Sequence, residues 1–426
     1  MIGSVAQNVI NVTDTAFLGR LGDVALGGGA IGGLFYLAII MLGWGVGIGS
    51  QIIVARRFGE GDYKKIGPII EHTQYLLFLI AILLVILFEF FGKTILFHIV
   101  RSENIFNASY SFLRYRIWGL FFAFIYFAYR AFYVGIGKTK VITYTTLIMV
   151  LVNVFFGYSL VFGHFGFPRM GISGAGLASV IAEFSGTLAF VVYTIMNKNI
   201  KQYNLFRYTR YNSELMSRLF NISLPLMLQN FFSFSIWFVF FLIIEKMGEM
   251  ELAVSNIIRS IYVVLLIPIM GFSTAANTLV SFVIGQGRSN EVLSLTWRIA
   301  LVSGGFSAIL SLICSLFPGL ILQIYTSDQS IIAIGLPIMH IITVASIILA
   351  MASAIFNGVS GTGKTNISLI LEVGILLVYV IAAFVLAIVL KQSLTWVWTV
   401  EIIYGVLLAL ISFIYLRSNH WVGKSI

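Results

Sequence analysis

Charge is nearly absent from the long stretches of this chain. Twelve runs, near residues 1–18, 26–55, 69–97, 107–134, 141–163, 172–196, 219–245, 252–284, 294–324, 329–357, 366–390 and 394–416, are mostly apolar. Each is close to or longer than the ~20 residues an α-helix needs to cross a bilayer. Charged residues make up 10% of the 426-residue chain, against about 25% in ordinary soluble domains. A water-facing surface cannot be built from so few charges. The reading is an all-α membrane protein with twelve transmembrane helices. The alternating segments of about 10 residues that mark a membrane barrel are missing. Coiled coil, disorder and a disulfide scaffold are excluded as well. Cys314 is the single cysteine, set in the apolar run 310–316, and has no intrachain partner.

The net charge of +10 would suggest nucleic acid in a soluble domain. Here the Lys and Arg fall mainly in short loops, where they orient the chain in the bilayer. With the loop at 56–65 in the cytoplasm, that side collects 16 Lys and Arg and the other side 8, leaving Arg130 and Arg259 inside spans. Both termini are then cytoplasmic.

The chain repeats itself. Gly59-Glu-Gly61 is matched by Gly285-Gln-Gly287, Gly135-Ile-Gly137-Lys138-Thr139 by Gly361-Thr-Gly363-Lys364-Thr365, and Gly22-Asp23 by Gly248-Glu249, all offset by 226 residues. A common offset predicts two six-helix bundles, residues 1–197 and 219–426, joined by a polar cytoplasmic linker, 198–218. Six spans is an even number, so both halves enter from the same side. The expected symmetry is a parallel repeat about a pseudo-two-fold along the membrane normal. Pro225 is expected to open the seventh span. Its mate would fall at position −1, so the first helix is expected to lack its start.

Acids inside spans are costly and need a reason. Asp14, Glu183, Glu372 and Glu401 lie well inside. Gln7 and Asn11 share the helical face of Asp14, at i−7 and i−3. That polar stripe must face protein or a water-filled cavity, which makes Asp14 the first candidate for binding a transported cation. Glu183 and Glu401 occupy similar places in the sixth and twelfth spans, if a short deletion is allowed. Arg259 needs an acid, and Glu372 or Glu401 could supply it in a structural ion pair. Otherwise these residues would line a substrate path.

Gly358-Val-Ser-Gly-Thr-Gly363-Lys364-Thr365 fits the phosphate-loop pattern. That pattern needs a preceding strand, whereas this copy joins two membrane spans. It reads as a tight turn, with no nucleotide bound. Glycines 43, 45, 47 and 49 should permit close helix contact. The histidines show no metal-ligand spacing, and no enzyme constellation is present.

Several motifs taken together resemble the MATE multidrug and toxic-compound extrusion transporters. They are Val12-Thr-Asp14-Thr-Ala-Phe-Leu-Gly19-Arg20-Leu-Gly22, Phe58-Gly59-Glu-Gly61-Asp62, Gly135-Ile-Gly137-Lys-Thr, Asn153 with Leu160-Val-Phe-Gly163, and Gly174-Ala-Gly-Leu-Ala-Ser179. The resemblance implies export of amphiphilic, often cationic small molecules against inward flow of H⁺ or Na⁺, by a monomer in the bacterial inner membrane, without cofactor, nucleotide or nucleic acid. It maps the family's first-span acid onto Asp14 and its fifth-span asparagine onto Asn153, with Ser179 as a further hydroxyl. Were sodium the coupling ion, Asp14 and Asn153 would hold it. Some members carry Asp or Asn where this chain has Gly157, so a proton, needing one carboxylate, is the expected ion. A lipid-linked oligosaccharide flippase of the same superfamily is the alternative. Its pyrophosphate would call for several basic residues in the cavity, and Arg130 and Arg259 are the only ones expected deep in spans.

Overall fold

Glycine sets the breaks between the long helices. Gly22 (φ 110°) separates the first two and Gly248 (φ 155°) separates their repeat mates. The chain is described here by a computed structural model covering residues 2–207 and 209–423, apart from the side chains of residues 2–9 and 11. Among the described residues there is helix and no strand.

The chain divides into two units, Ile2–Met227 and Leu228–Ile426. The first holds α1 (Ile2–Leu21), α2 (Asp23–Gly59), α3 (Ile66–Leu87), α4 (Lys93–Ile99), α5 (Glu103–Arg116), α6 (Gly119–Gly135), α7 (Lys140–Phe162) and α8 (Ile172–Met196). Helix α9 (Ser213–Glu245) runs across the division. The second unit continues with α10 (Glu249–Gly285), α11 (Val292–Leu316), α12 (Pro318–Gln323), α13 (Gln329–Gly361), α14 (Thr365–Phe384), α15 (Leu394–Trp398) and α16 (Val400–Arg417).

Ten helical stretches among the described residues are long and apolar enough to cross a bilayer. Helices α5 and α6 meet at 52° and supply one more span, broken in the middle. Helix α1 is 20 residues long, the length a further span needs. Large apolar side chains such as Phe90, Leu151, Ile309 and Ile370 are 65–75% exposed, which is tolerable only against lipid. Buried apolar clusters fill each unit, around Leu113, Leu120 and Phe124 in the first and around Phe240, Tyr262 and Trp398 in the second.

The repeat is visible in the backbone. Helices α2 and α10 begin and end 226 residues apart. Each closes on the same turn: the Gly61 amide bonds Phe58 O and the Gly287 amide bonds Ile284 O, with φ of 76° at both glycines. A side chain there would be strained in the left-handed region. Gly137 and Gly363 repeat the pattern after α6 and α13, at φ 73° and 87°.

Some boundaries differ from expectation. Pro225 does not open its span. It sits inside α9, which starts at Ser213, because flanking packing outweighs one lost amide hydrogen bond. The linker is not a loose tether. Its Tyr203 is buried against Phe132 and Tyr63, with ring centroids 5.4 and 5.7 Å away. The Thr209 amide and hydroxyl donate to Glu71 Oε2 at 2.8 and 2.6 Å, and the Asn212 amide donates to His72 Nε2 at 2.9 Å. Glu71 and His72, at the start of α3, are thereby docking points. The second-span glycines behave as expected. A Cβ on Gly45 would stand 2.6 Å from the Met227 backbone and one on Gly49 2.4 Å from Ser223 Oγ, so their lack of a side chain lets α9 lie against α2.

Candidate functional site

Asp14 lies two turns before the end of α1, which packs against α7, α2 and α8. Ser179 of α8 donates its hydroxyl to Asp14 Oδ2 at 3.3 Å. Asn153 of α7, fully buried, donates from Nδ2 to Ser179 Oγ at 3.4 Å. Asp14, Asn153 and Ser179, from three separate spans, are therefore one cluster. Two of its oxygens, Asp14 Oδ1 and Asn153 Oδ1, are buried and have no hydrogen-bond partner. Buried acceptors are nearly always satisfied, so this pair stands out among the buried polar groups. Gln7 and Asn11 fall on side chains outside the described residues. A Cβ on Gly157 would meet the Phe17 ring at 3.1 Å. The Phe17 ring thus lies against α7 at Gly157.

One turn further along α8, Glu183 is engaged by a residue that sequence reasoning placed elsewhere. Arg116 was expected among the non-cytoplasmic loop charges. It is the last residue of α5, at the break in the fourth span, and its side chain is only 13% exposed. Its Nη1 and Nη2 donate to Glu183 Oε2 and Oε1 at 2.7 and 2.6 Å. The guanidinium lies 3.7 Å above the Tyr36 ring, and the Tyr36 hydroxyl sits 3.3 Å from both Glu183 oxygens. The expectation that only Arg130 and Arg259 lie deep in spans is therefore corrected. The signal was available, since residue 116 is inside the apolar window 107–134.

Two buried acids of the second unit, Glu401 and Glu372, have no basic partner among their hydrogen bonds. Glu401 accepts from Tyr379 at 2.8 Å and Tyr262 at 3.1 Å. Glu372 accepts from Ser233 and Tyr404, each at 2.8 Å. Its other oxygen is buried without a partner. Arg259 pairs with neither acid. It packs over the Phe241 ring at 5.3 Å, so the expected ion pair is replaced by a cation–π contact. Arg130 likewise lies over Trp44 at 4.2 Å.

These contacts strengthen the repeat. Tyr36 and Tyr262 are 226 residues apart, and each donates to the buried acid of its own half, Glu183 or Glu401. The Asp14 cluster itself is not duplicated. At the same offset Asp14 corresponds to Phe240 and Asn153 to Tyr379, whose rings pack 5.5 Å apart in the second unit's core. At the offset of the two glutamates, 218, Ser179 corresponds to the buried Val397.

The phosphate-loop pattern ends α13 and starts α14, with no strand before it. Its Thr362 and Gly363 amides are spent on Gly358 O and Ser360 O, so they cannot cradle phosphate.

The family model described as MatE matches residues 1–159 and 225–391. A probable multidrug resistance protein NorM from Idiomarina loihiensis is 26% identical over 350 residues, 82% of this chain and 75% of that protein. One from Thermotoga maritima is 23% identical over 426 residues, covering 99% and 91%. Among solved structures, an outward-facing multidrug resistance MATE family transporter of the MOP superfamily superposes with a TM-score of 0.91 at 19% identity, over 100% of this chain and 94% of the other. The eukaryotic MATE transporter AtDTX14 gives 0.86 at 18%, over 99% and 94%.

Proposed function

The chain belongs to the MatE family, and on that premise we propose that it is a cation-coupled antiporter exporting amphiphilic, cationic small molecules by alternating access. Asp14 is the coupling carboxylate. The observation that carries this reading is the pair of buried, partnerless oxygens on Asp14 and Asn153. Neither oxygen has a donor. A proton or cation on Asp14 Oδ1 would supply what that oxygen lacks. When the proton leaves, the carboxylate keeps the Ser179 hydroxyl and regains its charge. The cluster thus has two states that differ by one charge in a low-dielectric place, which is what couples ion movement to a conformational equilibrium.

The proton is favoured over sodium because a cation such as Na⁺ recruits several oxygens, and Phe17 stands where Gly157 leaves out one of them. The flippase alternative fares worse. It needs free basic groups for a pyrophosphate, whereas Arg116 is committed to Glu183 and Arg259 and Arg130 lie over aromatic rings. The loop charges favour cytoplasmic termini, and the bacterial relatives favour a bacterial inner membrane.

The test is efflux of a fluorescent organic cation from proteoliposomes. Asp14→Asn, with correct insertion confirmed, should abolish gradient-driven export while retaining substrate binding. Undiminished export in that variant would remove Asp14 from the mechanism. Export that continues at fixed pH with a protonophore, and scales with a sodium gradient, would replace H⁺ by Na⁺.

A further inference from the structure

We propose that Arg116 sets how firmly Asp14 holds its coupling cation, acting as a tethered counter-charge that Glu183 restrains. The inference rests on Asp14 being the coupling carboxylate. Four of the five ion pairs among the described residues join neighbours three or four positions apart on accessible surfaces. Arg116–Glu183 alone is buried and joins distant segments.

Its position is specific. Ser179 and Glu183 are four residues apart on α8 and share a face, about 6 Å apart along the axis. The first holds Asp14 and the second holds Arg116. The guanidinium is thereby held about one helical turn from the group that holds the Asp14 carboxylate. The ionisable groups that face this cluster from the surrounding helices are Arg116 from α5, Glu183 from α8 and Tyr36 from α2.

The fold does not require an arginine here. Buried ion pairs contribute little net stability compared with apolar packing, and the second half supplies the comparison. There Glu401 keeps the mate of Tyr36, takes Tyr379 in addition, and has no arginine. The residue 226 after Arg116 is the buried Ile342. The same half has Phe240 where Asp14 would be. The arginine occurs in the half that has Asp14 and is missing from the half that has Phe240 in its place.

A positive charge close to Asp14 stabilises the empty, ionised carboxylate and opposes any cation placed on it. The coupling ion is thereby released more readily. Glu183 draws the guanidinium away and weakens this opposition. Two substitutions should therefore act in opposite directions. Glu183→Gln frees Arg116 toward Asp14 and should raise the cation concentration for half-maximal efflux about tenfold or more. Arg116→Gln combined with Glu183→Gln removes both charges and should lower it by a similar factor.

The experiment measures proteoliposome efflux of the fluorescent cation across a series of pH values and, separately, of sodium concentrations. Glu183→Asp, a milder change that draws the carboxylate back by one methylene, should shift in the direction of Glu183→Gln. Arg116→Lys keeps the charge but gives up the bidentate grip on Glu183 and the Tyr36 ring contact, so it should shift in the direction of Glu183→Gln and not in that of the double variant. A purely structural pair would lower maximal rate in all variants without opposed midpoints. Midpoints that are unmoved, or that move the same way, overturn the proposal while Asp14→Asn still abolishes coupling. Coupled export persisting in Asp14→Asn is the separate result that removes the underlying reading.

Discussion

Gly119→Ala isolates the Arg116–Glu183 pair without touching either charge. A Cβ at position 119 would stand 2.4 Å from Glu183 Oε2 and 2.6 Å from Arg116 Nη1. Ordinary contacts begin near 3.4 Å, so both atoms must retreat by close to 1 Å from a bidentate bond of 2.6–2.7 Å. If the pair moves as one body, the cost is that of overpacking, about 1–3 kcal/mol. If it separates, an uncompensated buried charge costs about 3–5 kcal/mol. At roughly 2–4 °C per kcal/mol for a unit of this size, the melting temperature should fall by about 2–12 °C in the first case and about 6–20 °C in the second. Gly33→Ala is the matched control. It lies in α2 with nothing within 4 Å of the added carbon, and the better helix former should leave stability unchanged or raise it by up to about 1 kcal/mol. The assay is thermal unfolding of both purified variants in the same detergent. Gly119→Ala melting together with Gly33→Ala would refute the packing argument.

Glu401→Leu should cost about 1–3 kcal/mol, because the buried Tyr262 and Tyr379 hydroxyls lose their acceptor, whereas Glu401→Gln, which keeps an oxygen there, should melt within a few degrees of the unmodified protein. His72→Leu removes the acceptor for the Asn212 amide and should raise protease cutting within 198–218 about tenfold, since a lost buried acceptor costs about 1–3 kcal/mol; unchanged cutting would mean the linker is held by its aromatic contacts and the Thr209–Glu71 bonds without His72. At the start of α13, bonds from the Ser330 amide and hydroxyl hold the Asp328 carboxyl below the usual range. A depressed carboxyl contributes stability above its unfolded pKa and loses it as pH falls through the folded value, so Asp328→Asn, which caps without titrating, should flatten the acid side of the stability profile.

The spans and the repeat were legible because a bilayer tolerates few charges and a tight turn tolerates few residues besides glycine. Asp14, Glu183 and Glu401 stood out for the first reason, and Gly61 and Gly287 for the second. Arg116 was hidden by its neighbour Arg114, which is exposed; together they resemble a loop end. The break after it has no proline to announce it. Tyr36, Tyr262 and Tyr379 could not be told from 19 tyrosines until three-dimensional contacts showed which carboxylates they reach. Pro225 misled for a related reason, since proline signals a helix start only where nothing else fixes the backbone.

Helix α9 also bears on how the gene could be cut in two. The linker invites a cut near residue 208, but the unit boundary lies at 227/228, inside an unbroken helix. Two co-expressed fragments divided at the linker would leave Ser223 and Met227 on the C-terminal piece. The glycines they fit against, Gly49 and Gly45, would be on the N-terminal piece. The leading turns of α9 would then work as a hook, a donated segment that drives reassembly of the fragments. A cut at 227/228 would leave each piece with half a span and no such handle.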